Sequence, residues 1–412
     1  MSNLREEALN MHKEKKGKLS VSLKVPLRDA TDLSLAYSPG VAEPCLEIHK
    51  DEDKVYDYTM KGNLVAVVSN GTAVLGLGNI GPKAAMPVME GKAALFKSFA
   101  DIDAFPLCLN TEDPDKVVET VRLLEPTFGG VNLEDIAAPQ CFEIEARLKK
   151  VCQIPVFHDD QHGTAIVTVA GLINALKLAD KKIEEIRVVI NGAGAAGVAI
   201  IHLLLRIGVK EVLLCDTKGI IYEGRPDGMN LFKERLARLT NKELKQGTLA
   251  EALLGADVFI GVSAAGAVTE EMVRSMNHHP IVFAMANPTP EIFPDKAKAA
   301  GAFVVGTGRS DFPNQVNNVL AFPGIFRGAL DVQAKEINEE MKLAAVYAIA
   351  ELVSENLHAD YVIPDPFDRR VAAYVAAAVA KAAIETGVAQ KVVNPAEIQY
   401  RLLMLSKEKE YA

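Results

Sequence analysis

The sequence predicts an α/β protein: a doubly wound parallel sheet domain, preceded by a second α/β domain and followed by helices. Three observations predict it. Through the middle of the chain, short runs rich in Val, Ile and Phe alternate with longer apolar segments of helical period, which is the order of a parallel sheet covered on both faces. One of those runs, RVVIN, passes straight into a glycine loop, GAGAAG, that opens a helix. Beyond it, INEEMKLAAVYAIAELVSENL and RRVAAYVAAAVAKAAIETG read as helices.

The elements follow in order. KGNLVAVVSNGTAVLGLGNIG reads as strand, Asn-Gly turn, strand and glycine loop. IPVF is a short strand, and GTAIVTVAGLINALKLA is a helix. RVVIN is the next strand, and AAGVAIIHLLLRIG is a helix stopped by Gly208. EVLLCD is a strand, and DVFIGVS, IVFAMANP and AFVVGTG are buried strands closed by small residues, asparagine or proline. We set the boundary near Gln161, giving domains 1–161 and 162–412. The C-terminal helices suit either one.

Composition bounds the function. The chain has 412 residues, 49% hydrophobic and 24% charged, with a net charge of −9. That balance speaks against polyanion binding, and the basic run Lys13 to Lys16 reads as a solvated helix face. The five cysteines are scattered, with no Cys-x-x-Cys. They read as packing residues in a reducing cytoplasm, Cys45 near the Tyr37 loop included. The N-terminal stretch LREEALNMHKEKKGK is too charged for a signal peptide, and VAAYVAAAVA at 371–380 is too short to span a membrane.

Two segments match G-x-G-x-x-G. Gly192, Ala193, Gly194, Ala195, Ala196 and Gly197 follow a strand and open an apolar helix, and a further strand ends in Asp216. This is the Rossmann-type arrangement, in which a helix N-terminus holds a pyrophosphate and an acid takes the ribose hydroxyls. We assign NAD or NADP binding there. The other match is Gly76, Gly78 and Gly81, followed by Pro82, Pro87, Lys92 and Lys97. It suits either a small anionic substrate or a structural turn.

FHDDQHGTA, residues 157–165, places His158, Asp159, Asp160 and His162 in five positions. A zinc protease needs both histidines on one helix. Here Pro155 precedes and Gly163 follows, so HDDQH reads as a strand-to-helix loop. Its histidines are expected to hydrogen-bond or cap rather than ligate. Asp159 and Asp160 point to a hard cation if more oxygen donors arrive, and VNLEDIAAP supplies Glu134 and Asp135.

These residues resemble the malic enzymes. LAYSPGVAEPC, GLGNIG through MEGK, FGGVNLEDIAAP, FHDDQHGTA, NGAGAAG, ANPTPEIFP and FPNQVNNVLAFPGIFRGAL look like that family's motifs, in order, from about residue 15 to 390. The form resembled is the short bacterial one. The resemblance implies oxidative decarboxylation of (S)-malate to pyruvate and CO2 by NAD or NADP with Mg2+ or Mn2+, and oxaloacetate decarboxylation besides. It implies Tyr37 as general acid, Lys92 as catalytic lysine in contact with substrate, and Asp159 as the carboxylate beside it. It further implies Glu134, Asp135 and Asp160 as metal ligands, Asn287 as a cofactor and malate contact, and Asn318 as a malate contact. The expected partner is the small molecule malate, with no nucleic acid and no membrane, in a homodimer. One departure stands out: SNGTAVLGLG has no arginine where larger members carry one to grip a malate carboxylate.

Cofactor choice turns on a short stretch. Asp216 favours NAD+ through the ribose hydroxyls, whereas Lys218 and Arg225 could serve a 2′-phosphate. We expect NADP+ to be accepted along with NAD+.

Overall fold

The computed structural model describes residues 2–74 and 76–408. Two parallel sheets organise them. The first holds β1 (Leu64–Ser69), β2 (Asp103–Cys108), β3 (Gly130–Leu133) and β4 (Val156–His158) in the order β2-β1-β3-β4. The second holds β5 (Arg187–Asn191), β6 (Glu211–Asp216), β7 (Gly219–Ile220), β8 (Val258–Gly261), β9 (Ile281–Ala284) and β10 (Val304–Thr307) in the order β10-β9-β8-β5-β6-β7. All pairings are parallel except β6 with β7. The strand order reverses between β5 and β8, and the crevice outside such a reversal is where doubly wound sheets bind ligands.

The expected hairpin after β1 does not form. Both edges of β1 are taken, by β2 and β3, so no strand can add beside it. The glycine-dense segment instead folds on itself: the Val74 amide donates to Gly78, and Ile80 and Gly81 both donate to Gly71. Gly76, Gly78 and Gly81 all have positive φ, which explains the residue type. Leu75, within the segment read as a second strand, lies outside the described residues.

HDDQH is not a loop either. β4 ends at His158, and Asp159–Gly163 forms one π-helical turn that runs directly into the helix Thr164–Ala179. Gly163 permits this, since a Cβ there would fall 1.9 Å from Asp159 Oδ1. Among the described residues, Asp159–Ala179 is the one helix long and apolar enough to cross a membrane, more so than the 371–380 run, and most of it is buried in the core.

The C-terminal helices pack on both halves. Helix Phe322–Asp331 presents Phe322 and Phe326 to Phe96, with ring centroids 4.7 and 5.3 Å apart, and Phe326 also meets Phe157. Its other face lies on helix Arg370–Glu385, where Gly328 would place a Cβ 2.4 Å from the Ala376 carbonyl oxygen, so only glycine allows the approach. Helix Glu339–Glu351 packs on Thr164–Ala179 and Arg370–Glu385. One continuous apolar core therefore runs from Val65 and Phe96 of the first half to Ile190 and Phe283 of the second. The N-terminal segment is different: Val21, Leu23, Leu35 and Tyr37 are all exposed.

Candidate active site

Strand register brings the two acidic pairs together. Leu133 of β3 lies opposite His158 of β4 in a parallel ladder. The residues that follow, Glu134 and Asp135 after one strand, Asp159 and Asp160 after the other, leave the sheet side by side. One carboxylate oxygen each from Glu134, Asp135 and Asp160 lies within 4.8 Å of the others. The Asp135 amide donates to Asp160 Oδ2 at 2.7 Å, from a backbone with φ +54°.

Lys92 enters from helix Gly81–Ala100. The buried face of that helix is Ala85, Met89, Lys92, Ala93 and Phe96, so helical period alone drives Lys92 inward. A buried ammonium needs partners. It has Asp159 Oδ2 at 2.6 Å and Glu134 Oε1 at 2.9 Å, and it stands over the Phe322 ring at 4.3 Å. Asn318 donates to the same Asp159 oxygen, and Asn132 donates to Glu134 Oε2 at 2.8 Å. Asp159 Oδ1 is buried with no hydrogen-bond partner.

The electrostatics follow from four carboxylates around one ammonium. Burial pushes Asp159 up to about 7, with Lys92 opposing and Glu134 assisting. Burial likewise pushes Asp160 up to about 6 and raises Glu134. Burial works against the Lys92 charge, but Asp159 and Glu134 outweigh it and hold the ammonium above the ordinary lysine value.

Among the described residues, the group of metal-donor atoms is Glu134, Asp135 and Asp160, without His158 or His162. His158 is fully buried with neither ring nitrogen hydrogen-bonded. His162 Nε2 meets Glu145 at 2.8 Å, and burial pushes its pKa down to about 4.

The second half supplies a cradle. Gly192 follows β5 with φ +128°, and its carbonyl oxygen would lie 1.9 Å from a Cβ at Gly197. Helix Ala195–Arg206 starts there, with Ala193, Gly194 and Ala196 around its first turn. A side chain at Gly194 would meet nothing within 4 Å, so the mouth of the loop is open. Asn287 sits where the halves meet: a Cβ at Gly76 would fall 2.6 Å from its carbonyl oxygen, and one at Gly308 would fall 2.7 Å from its Nδ2.

Asp216 ends β6, but its carboxylate is already occupied. Oδ1 accepts from the Lys218 amide and Arg225 Nη1, each at 2.9 Å. Oδ2 accepts from Arg225 Nη2 and Lys233 Nζ, each at 2.6 Å. Burial opposes the charge, yet Arg225 and Lys233 push the carboxyl down to about 2. Lys233 carried no signal in the sequence, because nothing local marks a lysine on the next helix as a partner of a strand-end acid.

The cluster thus joins Lys92, Glu134, Asp135, Asp159, Asp160 and Asn318. Tyr37 is not brought to it. The tyrosine caps helix Ala30–Ala36 and is 68% exposed, and its hydroxyl forms no hydrogen bond among the described residues. Sequence reasoning also missed Glu145. Its signal was there: in helix Gln140–Val151 it shares the buried face with Cys141, Ile144 and Leu148.

Two family profiles cover the chain, "Malic enzyme, N-terminal domain" over residues 16–149 and "Malic enzyme, NAD binding domain" over residues 161–384. A Bacillus subtilis protein named bifunctional malic/malolactic enzyme is 71% identical, over 96% of this chain and 97% of its own. A Haemophilus influenzae NADP-dependent malic enzyme is 56% identical over 94% of this chain, which spans only 53% of that longer protein. The crystal structure of an NAD-dependent malic enzyme from Thermotoga maritima superposes with a TM-score of 0.88 at 52% identity, covering 90% of this chain and 98% of that one. Profiles, relatives and fold agree, and the chain belongs to the malic enzyme family.

Proposed function

We propose that the chain oxidatively decarboxylates (S)-malate to pyruvate and CO2 while reducing NAD+ or NADP+, with Mg2+ or Mn2+ required. The observation that carries this reading is the buried ion pair of Lys92 with Asp159, set against three further carboxylates and joined by Asn318 to the dinucleotide half. Residues 1–161 supply the metal and acid-base groups, and residues 162–412 supply the cofactor cradle.

The donor set fits a hard cation. Glu134, Asp135 and Asp160 offer only oxygen, and their crowding is a cost that a divalent ion would relieve. When bound, the metal supplies positive charge against the oxygen on C2 of the substrate. Lys92 and Asp159 share the acid-base work: the C2 hydroxyl proton passes to this pair as hydride leaves C2 for the nicotinamide. Asn318 orients Asp159, and Asn287 lines the junction between substrate and cofactor. Loss of the remote carboxylate as CO2 leaves enolpyruvate, whose C3 takes a proton from Tyr37.

The cofactor reading leans to NADP+ accepted along with NAD+. A carboxylate offers about four acceptor sites, and all four on Asp216 are used, so it has little left for a ribose hydroxyl. Lys233, with Lys218 beside it, offers positive charge to a 2′-phosphate instead. The names of the relatives, one NADP-dependent and one NAD-dependent, accord with both cofactors.

The exposed apolar side chains around Tyr37 support a homodimer, in which that surface is covered and the tyrosine meets a cleft of the partner. A cytoplasmic setting suits five unpaired thiols.

The test is purified protein with malate and Mn2+, given NAD+ and NADP+ separately, with reduced cofactor followed by absorbance. No reduction of either cofactor would defeat the reading. The same site should decarboxylate oxaloacetate. The Bacillus subtilis relative's name favours a second reading, in which hydride returns to pyruvate and lactate leaves. Lactate from malate with catalytic NAD+ would establish it.

A further inference from the structure

Beneath the acidic cluster lies a second buried network that the proposed chemistry does not use. Its centre is Glu145, on helix Gln140–Val151 and only 6% exposed. Its oxygens accept from His162 Nε2 at 2.8 and 3.0 Å, and the His158 backbone amide reaches Oε1 at 3.3 Å. Lys149 Nζ stands 2.7 Å from Oε1. His158 and His162 flank Asp159 and Asp160, so one carboxylate holds both ends of the π-helical turn.

The ring of His162 is fixed from its other side. Lys342 Nζ lies 3.3 Å from Nδ1 and 2.5 Å from Glu339. An ammonium only donates, so Nδ1 accepts and the ring proton sits on Nε2, where it is donated to Glu145. Helices from three parts of the chain thereby set the orientation of one imidazole.

A π turn carries one residue more than an α turn, and such turns occur mostly at functional sites. Were Asp159–Gly163 to relax to α-helix, register would shift by one residue. That rotates a side chain by roughly 100° about the axis. Asp160 would leave Glu134 and Asp135, and Asp159 would leave Lys92.

We infer that Glu145, acting through His162, is a positioning residue that holds the π turn in the register presenting Asp159 and Asp160 to the metal and to Lys92. This rests on the reading of Glu134, Asp135 and Asp160 as metal ligands.

The test uses Glu145→Gln and His162→Gln in the full chain. Mn2+ affinity is measured by the electron-spin resonance of free Mn2+, NADPH affinity by fluorescence, and folding by thermal unfolding without metal. Each variant should bind Mn2+ about 10- to 100-fold more weakly, the range for losing a group that orients a ligand, while NADPH affinity stays unchanged. The double variant should lose no more than the worse single one, because both cut the same clasp. Unchanged Mn2+ affinity in the folded variants would overturn the inference. So would parallel losses of Mn2+ and NADPH binding that track a lowered Tm. If Glu145→Gln does not fold, His162→Gln decides alone, since it leaves the Glu145–Lys149 pair in place. Wild-type protein that binds no Mn2+ would overturn the metal reading and this inference with it.

Discussion

Lys92 and Asp159 lie 67 positions apart in sequence, yet Nζ and Oδ2 stand 2.6 Å apart in the interior. The pair exists because a helix turns its apolar face inward with a lysine on it, and the turn that follows a strand of the sheet opens with an acid at the same depth. Neither partner is tolerable there alone. Breaking such a pair by removing one member costs about 3–5 kcal/mol. Lys92→Met, which removes the charge and keeps the stem, should therefore unfold at lower temperature than wild type, and Lys92→Met with Asp159→Asn should recover part of the loss. Thermal unfolding of the three proteins checks this.

The metal site gives a second expectation. Asp135→Ala and Asp160→Ala should abolish malate oxidation while leaving NADPH affinity intact, because the dinucleotide cradle shares no residue with them. The measurement is activity across a Mn2+ titration beside fluorescence binding of NADPH. Near wild-type activity at low Mn2+ in either variant would remove these ligands from the assignment.

Tyr37 and Lys92 should divide the work. Lys92→Ala should slow hydride transfer by about 10²- to 10⁴-fold, the usual loss for an acid-base group. Tyr37→Phe should slow ketonisation of enolpyruvate more than hydride transfer. Because Tyr37 lies outside its own chain's cluster, mixed dimers of the two inactive variants should regain activity through one intact site. Failure of the co-expressed variants to complement would place both groups in one subunit's cleft.

Cofactor choice tests Lys233. Lys233→Met should lower kcat/KM for NADP+ by roughly tenfold, the effect of one lost charge-assisted contact of about 1.5 kcal/mol, and hardly touch NAD+. Lys218→Ala should do less, since its backbone amide, which the substitution keeps, is the group bound to Asp216. An unchanged ratio in Lys233→Met would clear that residue of the role.

The ion pairs of Asp216 with Arg225 and Lys233 predict an acid dependence. The folded carboxyl of Asp216 lies near 2, below its ordinary value of 3.8. Its ion pairs therefore add stability above pH 4, and that contribution is lost as pH falls through about 2. The stability gap between wild type and Lys233→Met should be constant at neutral pH and close in this acid window. Denaturant titrations at several pH values would show it. A gap that persists at pH 2 would mean Lys233 acts through packing.

Much of this was legible in the residues. β-Branched runs such as RVVIN and IVFA became central strands of the second sheet because buried parallel strands need no polar face. The acidic pairs converged because each directly follows a strand of the same sheet. What local pattern misread was set by neighbours. Asn70-Gly71 looked like a hairpin turn, but β1 had no free edge to pair. HDDQH looked like a loop because proline and glycine flank it, and the turn that forms is held from outside by Glu145. The pairing of Asp216 with Lys233 spans a strand, a loop and a helix start, a distance over which sequence period carries no information.

The shared core has a consequence for how such a chain can be cut and recombined. Phe96 and Phe157 pack on Phe322 and Phe326, and the helix that begins with the acidic turn continues into the second sheet's core. A break at Gln161 would sever that helix at its root and leave aromatic surfaces wet on both fragments. The two halves are thus poor modules for swapping with those of another dehydrogenase.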